Sequence, residues 1–219
     1  EITIFLPDSA FRPNFTIFYE DENVLLVNKG KEIEVCDGEK NVADELKKAG
    51  KCIIPVHRID RNTSGLVMFA KTREAFEAFL RALKEERIKK YYEAEVFGTP
   101  ENKSGVFIDY MKKDASKKFV SVRSAPAAGY QKTETYYSVI KSSGKTALLC
   151  VRISGGFTHQ IRACLAYHDL PIIGDGKYGR SEINRAFGSK YQRLTAKKLV
   201  FDFAEDSCLR YLNDKKIEL

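Results

Sequence analysis

No apolar run in this chain approaches the ~18 residues needed to cross a bilayer, and no basic segment followed by an apolar stretch opens it. Neither a membrane anchor nor an export signal is therefore expected, and a cytoplasmic setting is. The five cysteines (Cys36, Cys52, Cys150, Cys164 and Cys208) are scattered and odd in number, with no CxxC pair. That argues against a disulfide framework and for a reducing compartment. Internal repeats and low-complexity tracts are also missing.

Several catalytic signatures fail on inspection. "GDGKYG" fits GxGxxG at Gly174, Gly176 and Gly179, but only "PII" precedes it and the polar "RSEINR" follows. A dinucleotide site needs a long buried strand before the glycines and an apolar helix after them. "GKT" at Gly144 to Thr146 resembles the end of a phosphate loop, yet Val139 stands where the earlier glycine is required, so a hairpin turn is expected. Nothing resembles a nucleophile elbow. On a helix Cys164 and His168 would share a face, but His159 would lie about 140° from Cys164. No metal site and no cofactor are therefore expected.

What is present is a chain of 219 residues, 43% hydrophobic, long enough for one large domain or two small ones. Thirty-seven Lys and Arg against thirty Asp and Glu leave a net charge of +7, which favours a polyanionic partner. "ITIFL" alternates like a strand, and "PDSAFRPNF" reads as a linker. A boundary is therefore expected between residues 1–15 and a main domain, 16–219. Within that domain "NVADELKKAG" reads as a short helix closed by Gly50, and "CIIPV" as a buried strand. "TREAFEAFLRALKEERI" switches to helical period, with Thr72 as N-cap and Phe76, Phe79, Leu80 and Leu83 on one stripe. "KYYEAEVFG", "KFVSVR", "TETYYSVIKS" and "KTALLCVRIS" alternate as strands, and a capped helix is expected from Thr158, with Pro171 just past its end. Many strands with few helices predict an α+β fold: a mixed, largely antiparallel central sheet with flanking helices.

The candidate chemistry lies in "VHRIDRNTSGLVMFAKT". If Val56 to Asp60 continues the preceding strand, Arg58 and Asp60 point to the same side and share one cleft. A cation beside a carboxylate typically lowers its pKa by ~1–3 units, which suits a nucleophile or base rather than an acid. In "SGGFTHQIRACL", Arg162 falls in the first turns of a helix, where the macrodipole disfavours a cation by roughly 0.3–1 kcal/mol. It should have an anionic neighbour, and either Asp60 or a nucleic-acid phosphate would serve. Gly155 and Gly156 would let an anion approach the free N–H groups there. On spacing alone, a purely structural Asp–Arg bridge under a loop is the better reading.

"HRIDRNTSGLVMFAKT" resembles the signature of the RluA-type pseudouridine synthases. Further segments agree in order: "EDENVLLVNKG", "KKYYEAEVFG", "THQIRACLAYHDLPIIGDGKYG" and "LTAKKLVF". The resemblance implies RNA uridine isomerisation by one aspartate without metal or cofactor. Asp60 takes the place of the catalytic aspartate, Arg162 of its salt-bridge partner, and Tyr92 of the tyrosine beside the target base, although core packing would also explain Tyr92. Arg58 resembles the arginine that enters the RNA helix as the uridine flips out, and Leu194 matches an apolar wall of the pocket. His57, Lys117 and Lys118 are expected to join them in contacting RNA, with basic clusters at Met111–Arg123 and Gly176–Lys198 as edges of the same cleft. Phe157, Gly30 and Cys164 depart from common family residues, but none removes a catalytic position.

Ribosomal RNA is the expected partner ahead of transfer RNA, with the protein a monomer. "EITIFL" also resembles the last strand of a small RNA-binding module, so a module before Glu1 is expected. Two other readings are a non-catalytic RNA-binding domain and a small-molecule hydrolase using Asp60. The first is disfavoured by the intact Asp60, Tyr92 and Arg162, and the second by the basic clusters.

Overall fold

The computed structural model describes residues 14–114 and 119–219. Among them eleven strands form one sheet: β1 (Phe15–Glu20), β2 (Val24–Lys29), β3 (Ile54–Pro55), β4 (Ser64–Ala70), β5 (Ile88–Phe97), β6 (Ser104–Asp114), β7 (Phe119–Arg123), β8 (Gln131–Ser143), β9 (Thr146–Ser154), β10 (Leu194–Phe201) and β11 (Ile217–Glu218). The helices are α1 (Val42–Lys48), α2 (Arg73–Lys84), α3 (Gln160–Tyr167) and α4 (Ser181–Ala186). The strand order is β1-β2-β4-β10-β5-β9-β8-β6-β7, with β3 beside β4 and β11 beside β10. Only β4 and β10 run parallel. The sheet is mixed and largely antiparallel, as the strand-rich pattern predicts.

The first four residues of β2 and nearly all of β4 are apolar because both faces of these strands are covered. Leu25, Val27, Val67 and Phe69 point into a core shared with Val42 and Leu46 of α1 and with Ile161 and Leu165 of α3. Val24, Leu26, Leu66 and Met68 point the other way, against Ala75, Phe79 and Ala82 of α2. Period-2 alternation thus feeds two cores at once. Gly65 makes the parallel contact possible. Its φ is +110°, and a Cβ there would lie 2.2 Å from the Ala196 carbonyl oxygen.

Local signals explain the helix starts. The Asn41 side chain accepts from Asp44 N–H, and the Thr72 hydroxyl accepts from Ala75 N–H, as expected of that threonine. Gly144 turns the β8–β9 hairpin with φ +59°, so "GKT" is the turn its spacing predicts. Other expectations need correction. Leu80 is exposed, because α2 buries the narrower stripe Ala75, Phe79 and Ala82. α3 begins at Gln160 rather than at Thr158: His159 occupies the N-cap position in a left-handed conformation without a side-chain cap. β6 and α4 have no counterpart in the sequence reading. The strand expected at "ITIFL" lies outside the described residues.

The strand expected through "CIIPV" to Asp60 is much shorter. Val56 N–H still bonds to Met68 O at 3.3 Å, but the Met68 N–H then goes to His57 Nε2 at 3.1 Å. A side chain takes the place of the next ladder partner. Pairing ends there, and residues 56–60 are free to curl toward α3.

Candidate active site

Asp60 sits in the loop between β3 and β4, where its carbonyl accepts from Thr63 N–H at 2.9 Å to close a tight turn. That turn aims its carboxylate at α3. Arg162 Nη1 donates to Asp60 Oδ2 at 2.8 Å. The other edge of the guanidinium is already engaged: Nε and Nη2 donate to Asp175 Oδ2 and Oδ1 at 2.7 and 3.0 Å. This parallel fork fixes the plane of the arginine and therefore the directions in which Nη1 presents its protons, one of them toward Asp60. Arg162 therefore has two anionic neighbours where its place in the helix called for one.

Asp175 is almost fully buried, and its Oδ1 also accepts from the N–H groups of Lys177 and Tyr178 at 2.8 and 3.0 Å. Burial alone would raise its pKa, but the Arg162 fork and these N–H groups outweigh it and hold the carboxyl below its usual value. The same balance runs in reverse for Arg162: burial opposes its charge, and the two carboxylates overcome that and keep it protonated. Asp60 differs from Asp175 in access. Its side chain is 26% exposed against 1% for Asp175, so of the two only Asp60 can meet a substrate.

Asp60 opens onto a cleft of about 290 Å³ lined by Arg58, Thr63, Lys90, Tyr92, His159 and Leu194 among others. Tyr92 and Leu194 are buried apolar walls from β5 and β10. Burial, and then the Asp60 charge, push the Tyr92 hydroxyl up, so the ring is neutral and protonated. On the far side, His159 Nε2 lies 3.9 Å from Asp60 Oδ1, and its Nδ1 is 2.9 Å from the Tyr178 hydroxyl. That hydroxyl also accepts from Val120 N–H at 3.0 Å, which fixes its position beside the imidazole. Burial keeps His159 below its usual pKa against the pull of Asp60, which favours the neutral imidazole beside the carboxylate.

Arg58 and Asp60 do border one cleft, but they do not pair. Arg58 turns outward to Asp37 at 2.7 Å and to Glu34 at 3.5 Å, because residues 56–60 are a loop. The cation beside Asp60 is Arg162. His57 lines the cleft, yet burial and the Lys90 charge push its imidazole down to about 3, and its Nε2 is taken by Met68 N–H. A neutral ring that already accepts a backbone proton cannot meet a phosphate as a cation. Arg61 lies outside the cleft, with its Nε on Glu32 O. Lys117 and Lys118 lie outside the described residues. Of the two basic clusters, Arg180, Arg193 and Lys198 pair with Asp169, Glu95 and Glu218, and none of the described lysines and arginines of either cluster lines the cleft.

Three participants escaped the sequence reading. Asp175 belongs to "GDGKYG", the segment dismissed as a dinucleotide loop. Its glycines serve the turn that buries this carboxylate: a Cβ at Gly179 would lie 2.3 Å from Asp175 O. Lys90 is two residues before Tyr92 on β5 and so shares its buried face, a signal available from alternation. Its ammonium donates to Gly155 O at 2.9 Å, and burial holds its pKa below the usual value. His159 had been weighed only as a metal ligand.

The family model described as RNA pseudouridylate synthase matches residues 23–167, and the chain belongs to that family. It is 35% identical over 210 residues to an RNA pseudouridine synthase of Mycoplasma genitalium that is itself called uncharacterized, covering 87% of this chain and 64% of that protein. To ribosomal large subunit pseudouridine synthase D of Vibrio cholerae it is 32% identical over 177 residues, 74% of this chain and 52% of that protein. The chain thus spans between half and two thirds of these relatives' length. The solved structure of human RNA pseudouridylate synthase domain containing 1 shares the fold, with a TM-score of 0.76 at 20% identity over 93% of this chain and 84% of that one.

Proposed function

We propose that residues 16–219 are the catalytic domain of a cytoplasmic RNA pseudouridine synthase that isomerises uridine through Asp60, with ribosomal RNA as its substrate. The observation that carries this reading is Asp60, the one carboxylate among the described residues lining the cleft, held by Arg162 against walls formed by Tyr92 and Leu194. The naming of relatives such as the Vibrio cholerae enzyme supports a ribosomal target over a transfer RNA.

In this reaction the bond from N1 to the ribose breaks, the uracil turns, and carbon 5 bonds to the ribose while its hydrogen leaves to solvent. Asp60 serves either by attacking the anomeric carbon or by removing a ribose proton, and both routes use the ionised form. Arg162 orients the carboxylate and stabilises its charge. Tyr92 offers a flat face and Leu194 an apolar wall to a uracil taken out of its stack, recovering part of the few kcal/mol that unstacking costs. Arg58, exposed on the rim, enters the space that the base vacates once it leaves Asp37 and Glu34.

Tritium release from RNA labelled at carbon 5 of uridine tests this proposal. Wild-type protein should release the label. Asp60→Asn should release none while binding the same RNA within a few-fold. Release at the wild-type rate by that variant would remove Asp60 from the mechanism, and the absence of release from any labelled RNA by the wild type would favour a non-catalytic RNA-binding role.

A further inference from the structure

Behind the cleft, on the opposite side of α3 from Arg162, three potential ligands converge: Asp109 from β6, Cys164 from α3 and His168 at the C-terminal end of that helix. Their nearest ligand atoms all lie within 4.8 Å of one another. Spacing alone puts Cys164 and His168 on one face of the helix; only the β6–β8 pairing brings the carboxylate. Asp109 and Cys164 are buried, and His168 is half-buried.

We infer that Asp109, Cys164 and His168 form a binding site for a zinc-like divalent cation, with the fourth position open toward solvent at His168. The donor set is one oxygen, one sulfur and one nitrogen, a combination that zinc accepts in tetrahedral sites. The imidazole is already oriented. Its Nε2 lies 3.0 and 3.1 Å from the two Asp109 oxygens, and the Phe107 ring stacks on it at 3.9 Å with planes 13° apart. A cation of charge two with one carboxylate, one thiolate and a neutral imidazole sums to zero, which a buried site tolerates better than an unpaired charge.

Loading the site exchanges protons for metal. The Cys164 thiol gives up its proton to solvent as the metal–sulfur bond forms, and the His168 Nε2 proton passes to Nδ1 or to solvent so that Nε2 can bind in place of its contact with Asp109. The Thr135 hydroxyl accepts from Gln160 Nε2 at 3.3 Å, and Gln160 Oε1 accepts from Phe157 N–H, so the helix start beside the cleft is tied to β8. An ion here would brace α3 and, with it, Arg162.

Cobalt(II) titration of the reduced, chelator-treated protein gives a direct reading, since cobalt thiolate bonds produce a near-ultraviolet charge-transfer band. One equivalent should generate the band in wild type and in Cys208→Ser, but not in Cys164→Ser. Zinc should displace cobalt, and it should raise the melting temperature of wild type but not of His168→Gln. Circular dichroism establishes that each variant is folded. Should Cys164→Ser fail to fold, His168→Gln carries the test, with the band weakened at least ten-fold in affinity. No band in wild type, or an undiminished band in either folded site variant, overturns the site.

Discussion

Replacing Asp175 by asparagine separates the two carboxylates that flank Arg162. The substitution keeps the shape and one oxygen, so the Oδ1 bonds from Lys177 N–H, Tyr178 N–H and Arg162 Nη2 can persist. What it removes is the charge and the 2.7 Å bond from Nε, where an amide N–H would face a guanidinium N–H. Removing one partner of a buried ion pair typically costs 3–5 kcal/mol. The retained oxygen and the remaining Asp60 contact put Asp175→Asn at the low end, about 3 kcal/mol. Asp60→Asn, at a site with a partly exposed carboxylate, should cost no more than about 1 kcal/mol.

The functional order is reversed. Asp60→Asn should abolish tritium release. Asp175→Asn should leave the carboxylate in place but unclamp its arginine, lowering turnover by about 10–100-fold, equivalent to ~1.4–2.8 kcal/mol in the transition state. Urea denaturation and single-turnover tritium release on both variants measure the two orders. If Asp175→Asn unfolds within about 0.5 kcal/mol of wild type, or if Asp60→Asn proves the less stable of the two, the assignment of Asp175 as the buried anchor is wrong.

His57 gives a pH dependence. Its folded pKa lies below the unfolded value, so its contribution is fully present above about pH 6.5 and is lost as pH falls toward its folded value of about 3. The slope should be up to ~1.4 kcal/mol per pH unit from this group. Denaturation midpoints taken between pH 7 and 5 should drop less steeply for His57→Gln than for wild type, and parallel curves would refute it. Gly65→Ala should destabilise by about 2–4 kcal/mol, since its Cβ meets Ala196 backbone and its φ is positive; a urea midpoint like that of wild type would contradict the close β4–β10 approach. Arg58→Ala should lower single-turnover release by at least about ten-fold yet leave the urea midpoint within about 0.5 kcal/mol, because both of its ion pairs are exposed.

The fold class was legible because its signals are local. Alternation marked β5, β7, β8 and β9, and Thr72 marked the start of α2. β6 was not legible: "SGVFIDYMKKD" exposes Val106 and Ile108 on one face, so its pattern lacks the clean alternation of a strand with one wet side. α4 has six residues, too few to display a helical period. The end of β3 depended on an imidazole taking a backbone partner, and no propensity describes that.

For the site, sequence determined which groups carry charge and which positions share a face. A cation in the first turns of α3 needs an anion, and Asp60 was the candidate 102 residues earlier. Tertiary structure decided which cation and which anion meet. It set Arg162 rather than Arg58 beside Asp60, added Asp175 as a second anchor, and brought Asp109 to Cys164 and His168. The physical reason is range: periodicity, capping and turns act over a few residues, whereas these meetings depend on the order and register of strands far apart in the chain.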